Sequence, residues 1–192
     1  MTYKKRLLTV AALALALSMG CRAQVSRVVD LPDWNFSRDG QSWQPVRVPH
    51  DWAISGPFDK KWDLQMVAIE QNGETEKTEK SGRSGALPWI GEGFYRMRLA
   101  LPKGYKRAVL VFDGAMSEPV VSVNGREAGR WAYGYNAFRI DITPFVKFGS
   151  KDNLVEVHLN NREESSRWYP GGGLYRPVHV ELYGEAAFSP WD

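Results

Sequence analysis

Apolar residues return at every second position in short runs through most of this chain, and glycine, proline or asparagine cuts each run short. Tyr95, Met97, Leu99 and Leu101 alternate with Arg96, Arg98 and Ala100. Val155, Val157 and Leu159 alternate with Glu156 and His158, and Val178, Val180 and Leu182 close the series. Successive strand residues point to opposite faces, so this pattern builds half-buried strands and leaves no room for a long helix. Residues 108–112 (AVLVF) are apolar without a break, which predicts a central strand covered on both faces. Residues 120–123 form another run, and Asn124-Gly125 after it is a two-residue hairpin signal. Phe138, Ile140 and Ile142 alternate on a further strand, and residues 43–48 give a short one ended by Pro49. Thr143-Pro144 reads as the cap and first position of a short helical turn, with Gly149 as its end. Short strands without helical period predict an all-β fold, two packed antiparallel sheets in a sandwich.

Three stretches fall outside this rhythm. Residues 25–45 read as a polar lead-in with scattered apolar anchors: Val28, Leu31, Trp34, Phe36 and Trp43. His50-Asp51-Trp52 opens a long irregular region reaching about residue 92. Within it, residues 65–71 and the Asn72-Gly73 turn favour a local hairpin. Residues 160–176 (NNREESSRWYPGGGLYR) form a loop between two strands, with aromatic and arginine side chains beside three consecutive glycines. Flat apolar faces beside hydrogen-bond donors suit a sugar ring. The competing reading is a strand-end loop pinned by its own aromatics.

The formal charge of +3 belongs to the leader. Residues 1–23 hold Lys4, Lys5, Arg6 and Arg22 and no acid, so removing them leaves 21 basic residues against 22 acidic. No net positive field remains to hold nucleic acid. The basic start and short apolar run, residues 7–19, have the form of a signal peptide and are too short to span a bilayer comfortably. Two processing routes stay open: cleavage after Ala23, or lipidation at Cys21, where the residue three before the cysteine departs from the usual leucine. Cys21 is the only cysteine, so residues 24–192 are expected to be held by packing without a disulfide.

The motifs also come in a specific order. Val48-Pro49-His50-Asp51-Trp52 precedes Gly56-Pro57-Phe58-Asp59 and Ser81-Gly82-Arg83-Ser84-Gly85. Phe94-Tyr95-Arg96, Phe112-Asp113-Gly114, Val123-Asn124-Gly125 and Asp141-Ile142-Thr143 follow, and residues 166–176 (SRWYPGGGLYR) come last. This series resembles the N-terminal sugar-binding domain of glycoside hydrolase family 2, the β-galactosidase and β-glucuronidase group, over residues 34–184. The resemblance implies a jelly-roll β-sandwich of the galactose-binding-domain kind. In that family an immunoglobulin-like domain and a (β/α)₈ barrel come next, and the barrel carries the acid/base and nucleophilic glutamates. The resemblance therefore implies the first piece of an exported glycosidase, galactosidase-like, that lacks its catalytic barrel. A retaining glycosidase needs two carboxyls about 5–5.5 Å apart. Glu163 and Glu164 are adjacent and would point apart if extended, while Asp113 and Asp141 read as turn and cap residues. Asp51 and Asp59 complete the carboxylate candidates, and no pair is assigned to catalysis.

By resemblance, two loops reach toward the sugar subsite of a neighbouring barrel. Arg83 in one would hydrogen-bond a sugar hydroxyl or a partner carboxylate; the plain alternative is a solvated arginine. The other carries Glu164, Arg167, Trp168 and Tyr169 as substrate-binding candidates, with domain-interface packing as the alternative for the two aromatics. The family pattern has an acid immediately before this tryptophan, whereas here Ser166 and Arg167 precede it. Glu164 is the candidate for a shifted acid, and the departure puts galactose preference in question. His158 and His179 sit in alternating strand positions without a ligand cluster, so no metal and no cofactor are expected. His50 and Asp51 read as a turn pairing with backbone donors, and Trp52 as core. A different class of function, a free-standing carbohydrate-binding or structural interaction module, would need an exposed aromatic platform. Residues 131–136 (WAYGYN) are the best candidate for one.

Overall fold

A computed structural model describes residues 27–59, 88–162 and 171–185. Its strands are β1 (Arg27–Asp30), β2 (Asp33–Ser37), β3 (Gln44–Arg47), β4 (Glu92–Leu99), β5 (Arg107–Phe112), β6 (Val120–Val123), β7 (Arg126–Arg130), β8 (Phe138–Asp141), β9 (Asn153–Asn160) and β10 (Val178–Tyr183). They form two sheets, one ordered β1-β10-β5-β8 and the other β3-β2-β4-β9-β6-β7. Every pairing is antiparallel. The result is the sandwich of two antiparallel sheets that the alternation predicts.

The core lies between the sheets. Trp34, Phe36, Tyr95, Val121, Val155 and Val157 face Ala108, Leu110, Phe112, Phe138, Val178 and Val180. Burying one such large side chain contributes about 1.5–3 kcal/mol, which makes this interior the main source of stability in a domain without disulfides. The unbroken run in β5 is explained by its position between β10 and β8. Its alternate residues Val109 and Val111 pack with Tyr183 in a second buried cluster. The hairpin signal holds as well: Asn124 (φ 52°) and Gly125 (φ 76°) join β6 to β7 in left-handed conformations.

The polar lead-in is corrected by the structure, because it contains β1, β2 and the start of β3. Asp33 and Asn35 are poor strand formers and hide the alternation of Trp34 with Phe36. Pairing with both β3 and β4 overrides that local preference. Thr143 is also corrected. It is the first residue of the 3-10 turn Thr143–Phe145, and Ile142 occupies the cap position without a side-chain cap. The Thr143 hydroxyl instead accepts from the Ala108 amide at 3.0 Å, while Asp141 Oδ1 accepts from the Thr143 amide at 3.0 Å. The hairpin expected over residues 65–73 lies outside the described residues.

Candidate functional site

Strand register gathers most of the long connections at one end of the sandwich. Glu92 pairs with Asn160, Val120 with both His158 and Arg130, and Phe112 with Phe138 and Val178. The segments that leave these residues, including 88–91, 113–119, 131–137 and 171–177, therefore share that end.

The three glycines form its seat. The Trp52 amide donates to Gly172 O at 3.0 Å and the His50 amide to Leu174 O at 2.8 Å. Gly173 and Met116 exchange two backbone hydrogen bonds of 2.9 Å. A side chain at Gly172 would collide with the Trp52 indole, and one at Gly173 with the Tyr95 hydroxyl and the His50 carbonyl. Gly173 also holds φ 112°, a backbone conformation that side chains disfavour. The glycine run is thus explained by close threading between β4 and the His50–Trp52 turn.

Beneath it lies an aromatic cluster. Trp52 is fully buried and stacks on Phe36 at 5.6 Å. It also meets Trp89 at 5.6 Å. His50 Nδ1 lies 2.7 Å from the Tyr95 hydroxyl. Burial raises the Tyr95 pKa, against a hydrogen bond from the Leu174 backbone, so the phenol keeps its proton. The Tyr95 hydroxyl also donates to the His50 carbonyl at 3.5 Å. Burial likewise lowers the His50 pKa, with Asp51 opposing. The Asp51 carboxylate accepts from the Ala53 amide at 2.9 Å, the turn role expected for it. Two buried atoms here, Trp52 Nε1 and Asn161 Oδ1, have no hydrogen-bond partner among the described residues. Each such group costs about 1–3 kcal/mol, tolerated where packing fixes the geometry.

The sequence-proposed contact residues Arg83, Glu164, Arg167, Trp168 and Tyr169 lie outside the described residues, as does Cys21. Their flanks are described. Residues 60–87 leave and re-enter beside an antiparallel bridge between Phe58 and Pro88, reinforced by Trp89 N to Pro57 O at 3.2 Å. Residues 163–170 leave and re-enter where Asn161 Nδ2 donates to Gly171 O at 2.7 Å. The Asn161 amide in turn donates to Gly91 O at 3.0 Å. The bases of both segments are thus joined through Trp52, Trp89 and Gly91.

Two features at this end escaped the sequence. Arg162 pairs with Glu118 at 2.8 Å across 44 positions of chain, and Glu118 adopts φ 49°. Arg38 donates to Gly56 O and lies 5.0 Å over the Trp89 ring. Neither partnership has a local signal, because each is made by the fold. In the WAYGYN stretch, Trp131, Tyr133 and Tyr135 are 38%, 58% and 46% exposed. Among the described residues, no three His, Cys, Asp or Glu side chains gather as a metal site.

No family model matches the chain. It is 33% identical over 152 residues to a β-galactosidase of Bacteroides ovatus, covering 78% of this chain and 16% of that protein. It is 29% identical over 191 residues to a β-glucuronidase of Bacteroides fragilis, covering 93% of this chain and 24% of that one. Among solved structures, a glycosyl hydrolase family 2 member from Bacteroides cellulosilyticus superposes with TM-score 0.65 at 27% identity, over 82% of this chain and 21% of that one. A β-glycosidase from Bacteroides vulgatus shares the fold, with TM-score 0.62 at 24% identity over 82% and 20% of the two chains. The chain thus spans less than a quarter of the length of these relatives, and both sequence and fold place it in glycoside hydrolase family 2, as the family's N-terminal β-sandwich domain.

Proposed function

We propose that this chain is the non-catalytic, sugar-binding domain of an exported glycoside hydrolase that removes terminal galactoside-like residues. Hydrolysis, by retaining double displacement, would occur in a (β/α)₈ barrel of the same protein, reached through an immunoglobulin-like domain. Arg83, Glu164, Arg167, Trp168 and Tyr169 are the proposed sugar contacts. The observation that carries this reading is the joining of the two loop bases at one end of the sandwich, through Trp52, Trp89 and Gly91. Residues distant in sequence thereby start from one place. The partners of three described carboxylates support a non-catalytic domain. Asp51 caps a turn, Asp141 holds Arg107 at 2.9 Å, and Glu118 holds Arg162. The names of the relatives support a glycosidase and leave β-galactoside and β-glucuronide as the substrates to test. Residues 1–23 act in this reading as the export signal, with Cys21 as an attachment point to the membrane if it is lipidated. The mass of the mature chain from cells decides between a start at Gln24 and a diacylated Cys21.

The direct test is titration of the chain with methyl β-D-galactopyranoside, followed by ¹H–¹⁵N correlation spectra. The eight tryptophans give resolvable indole signals, assigned by single Trp→Phe variants. The expected result is movement of the Trp168 indole, lost in Arg83→Ala, and of the Tyr169 amide, lost in Trp168→Ala. Saturation without any movement in residues 163–170 would overturn the reading. Turnover of a nitrophenyl β-galactoside by the chain alone would overturn its non-catalytic part.

A further inference from the structure

A second concavity lies at the same end, on the side of β6 and β7. It has a volume of about 580 Å³ and is lined by Val120, Trp131 and Tyr133 together with Glu118, Arg130 and Arg162. That is the size of a small-ligand site. Its tryptophan is built into the core. Phe112 and Phe138 stack at 4.8 Å with a 5° interplanar angle, and Phe138 and Trp131 stack at 5.6 Å with 6°. Three parallel rings thus run from a fully buried phenylalanine to an exposed indole. The Trp131 N–H donates to Asn136 Oδ1 at 2.9 Å, which fixes the ring's rotation. Its loop is pinned as well. Tyr175 donates to Gly134 O at 2.8 Å, and Gly134 lies so close to Met116 that a side chain there would strike the sulfur.

The charged groups are equally prepared. Glu118 is held in the left-handed region at φ 49°, an uncommon and costly conformation for a residue with a side chain. The Ser117 hydroxyl beside it donates to Asn160 O at 2.7 Å, which ties the strained turn to the end of β9. Glu118 meets Arg162 at 2.8 Å, and Arg130 is gripped by both oxygens of Glu127 at 2.8 Å. These largely exposed pairs set a carboxylate and two guanidiniums around an apolar floor.

We propose that this concavity binds a pyranose sugar, stacked on the exposed indole of Trp131 with its hydroxyls directed at Glu118 and Arg130. The axial C–H groups on one face of a pyranose make an apolar patch of about the size of an aromatic ring. Its edge carries hydroxyls that donate and accept, which matches a lining of both charge signs. A polyanion such as nucleic acid needs a net positive field, and this surface has paired charges. The site differs from the contacts proposed for residues 163–170, so either can fail alone.

The test is the same spectral titration of the full chain, read at the Trp131 indole and at the Tyr133 and Gly134 amides. Methyl β-D-galactopyranoside and methyl β-D-glucopyranosiduronate are used separately, to distinguish a neutral from an acidic sugar. For a ligand this small the expected Kd is on the order of 1 mM. Trp131→Ala should weaken binding roughly tenfold, and Trp131→Phe should retain most of it. Tyr133→Ala, at a more exposed position, serves as a second variant should Trp131→Ala fail to fold. Glu118→Gln should weaken binding while leaving the Trp131 indole signal in place. The proposal is overturned if neither probe moves residues 131–134 up to about fifty times the expected Kd. It is also overturned if the shifts persist unchanged in Trp131→Ala or Tyr133→Ala. Movement confined to Trp168 would remove this site and leave the preceding reading intact; movement confined to Trp131 would do the reverse.

Discussion

Gly173→Ala should be among the most damaging single-methyl additions in this domain, and its cost separates into parts that other glycines carry singly. At Gly104, φ is 92° and nothing lies within 4 Å of an added Cβ. Alanine there pays only for the left-handed backbone, about 1–2 kcal/mol. Gly172 has no such φ, but its Cβ would strike the Trp52 indole, whose ring is locked between Phe36 and Trp89. Overpacking of that kind costs about 1–3 kcal/mol. Gly173 combines both burdens, since φ is 112° and the Cβ meets the Tyr95 hydroxyl and the His50 backbone. Any shift to relieve the clash also stretches the two hydrogen bonds with Met116, each worth about 1 kcal/mol. The expected loss is about 3–5 kcal/mol, a large part of a domain's usual 5–15. At about 2–4 °C per kcal/mol, that lowers Tm by about 6–20 °C. Urea unfolding of Gly104→Ala, Gly172→Ala and Gly173→Ala measures the three costs on one scale. A Gly173→Ala cost within about 1 kcal/mol of Gly104→Ala would refute the threading explanation of the glycine run.

Three further outcomes are expected. His50 has a folded pKa below its ordinary value of 6.5, so the unfolded chain binds the extra proton first as pH falls. Stability should therefore decline through about pH 6.5 and level off below the folded pKa, and His50→Gln should flatten that segment of a urea-midpoint profile against pH. Asn124→Ala should cost about 1–3 kcal/mol in equilibrium unfolding, because its amide donates to Phe145 O at 2.8 Å, its carbonyl accepts from Leu154 N at 2.9 Å, and its φ is left-handed. Asp152→Ala should change stability by less than about 1 kcal/mol in the same assay, since its 2.8 Å pair with Arg98 lies in solvent.

The sandwich was legible because its alternation is a local signal. β5, β9 and β10 could be read from single residues, and Asn124-Gly125 identified the β6–β7 turn. β2 was not, because Asp33 and Asn35 belong to a strand only once β3 and β4 flank them. Thr143 was misassigned as a cap because its hydroxyl has a non-local acceptor and donor in Ala108, 35 residues away. The site was legible to the same extent. Composition marked the residue 160–176 loop and the WAYGYN stretch as unusual. The Glu118–Arg162 pair and the ring stack beneath Trp131 depend on contacts between strands that no sequence window contains.

The bond from Asn161 Nδ2 to Gly171 O has a consequence for how this domain can diversify. It fastens the two ends of the 163–170 segment to each other, so the strands do not depend on that segment to hold their spacing. Chain closure then grows only with the logarithm of length, and doubling the segment costs about 0.6 kcal/mol. Lengthening between the fastened ends is therefore cheap in chain entropy. Under the function proposed above, a change of sugar would fall on this stretch, between ends that the bond holds in place.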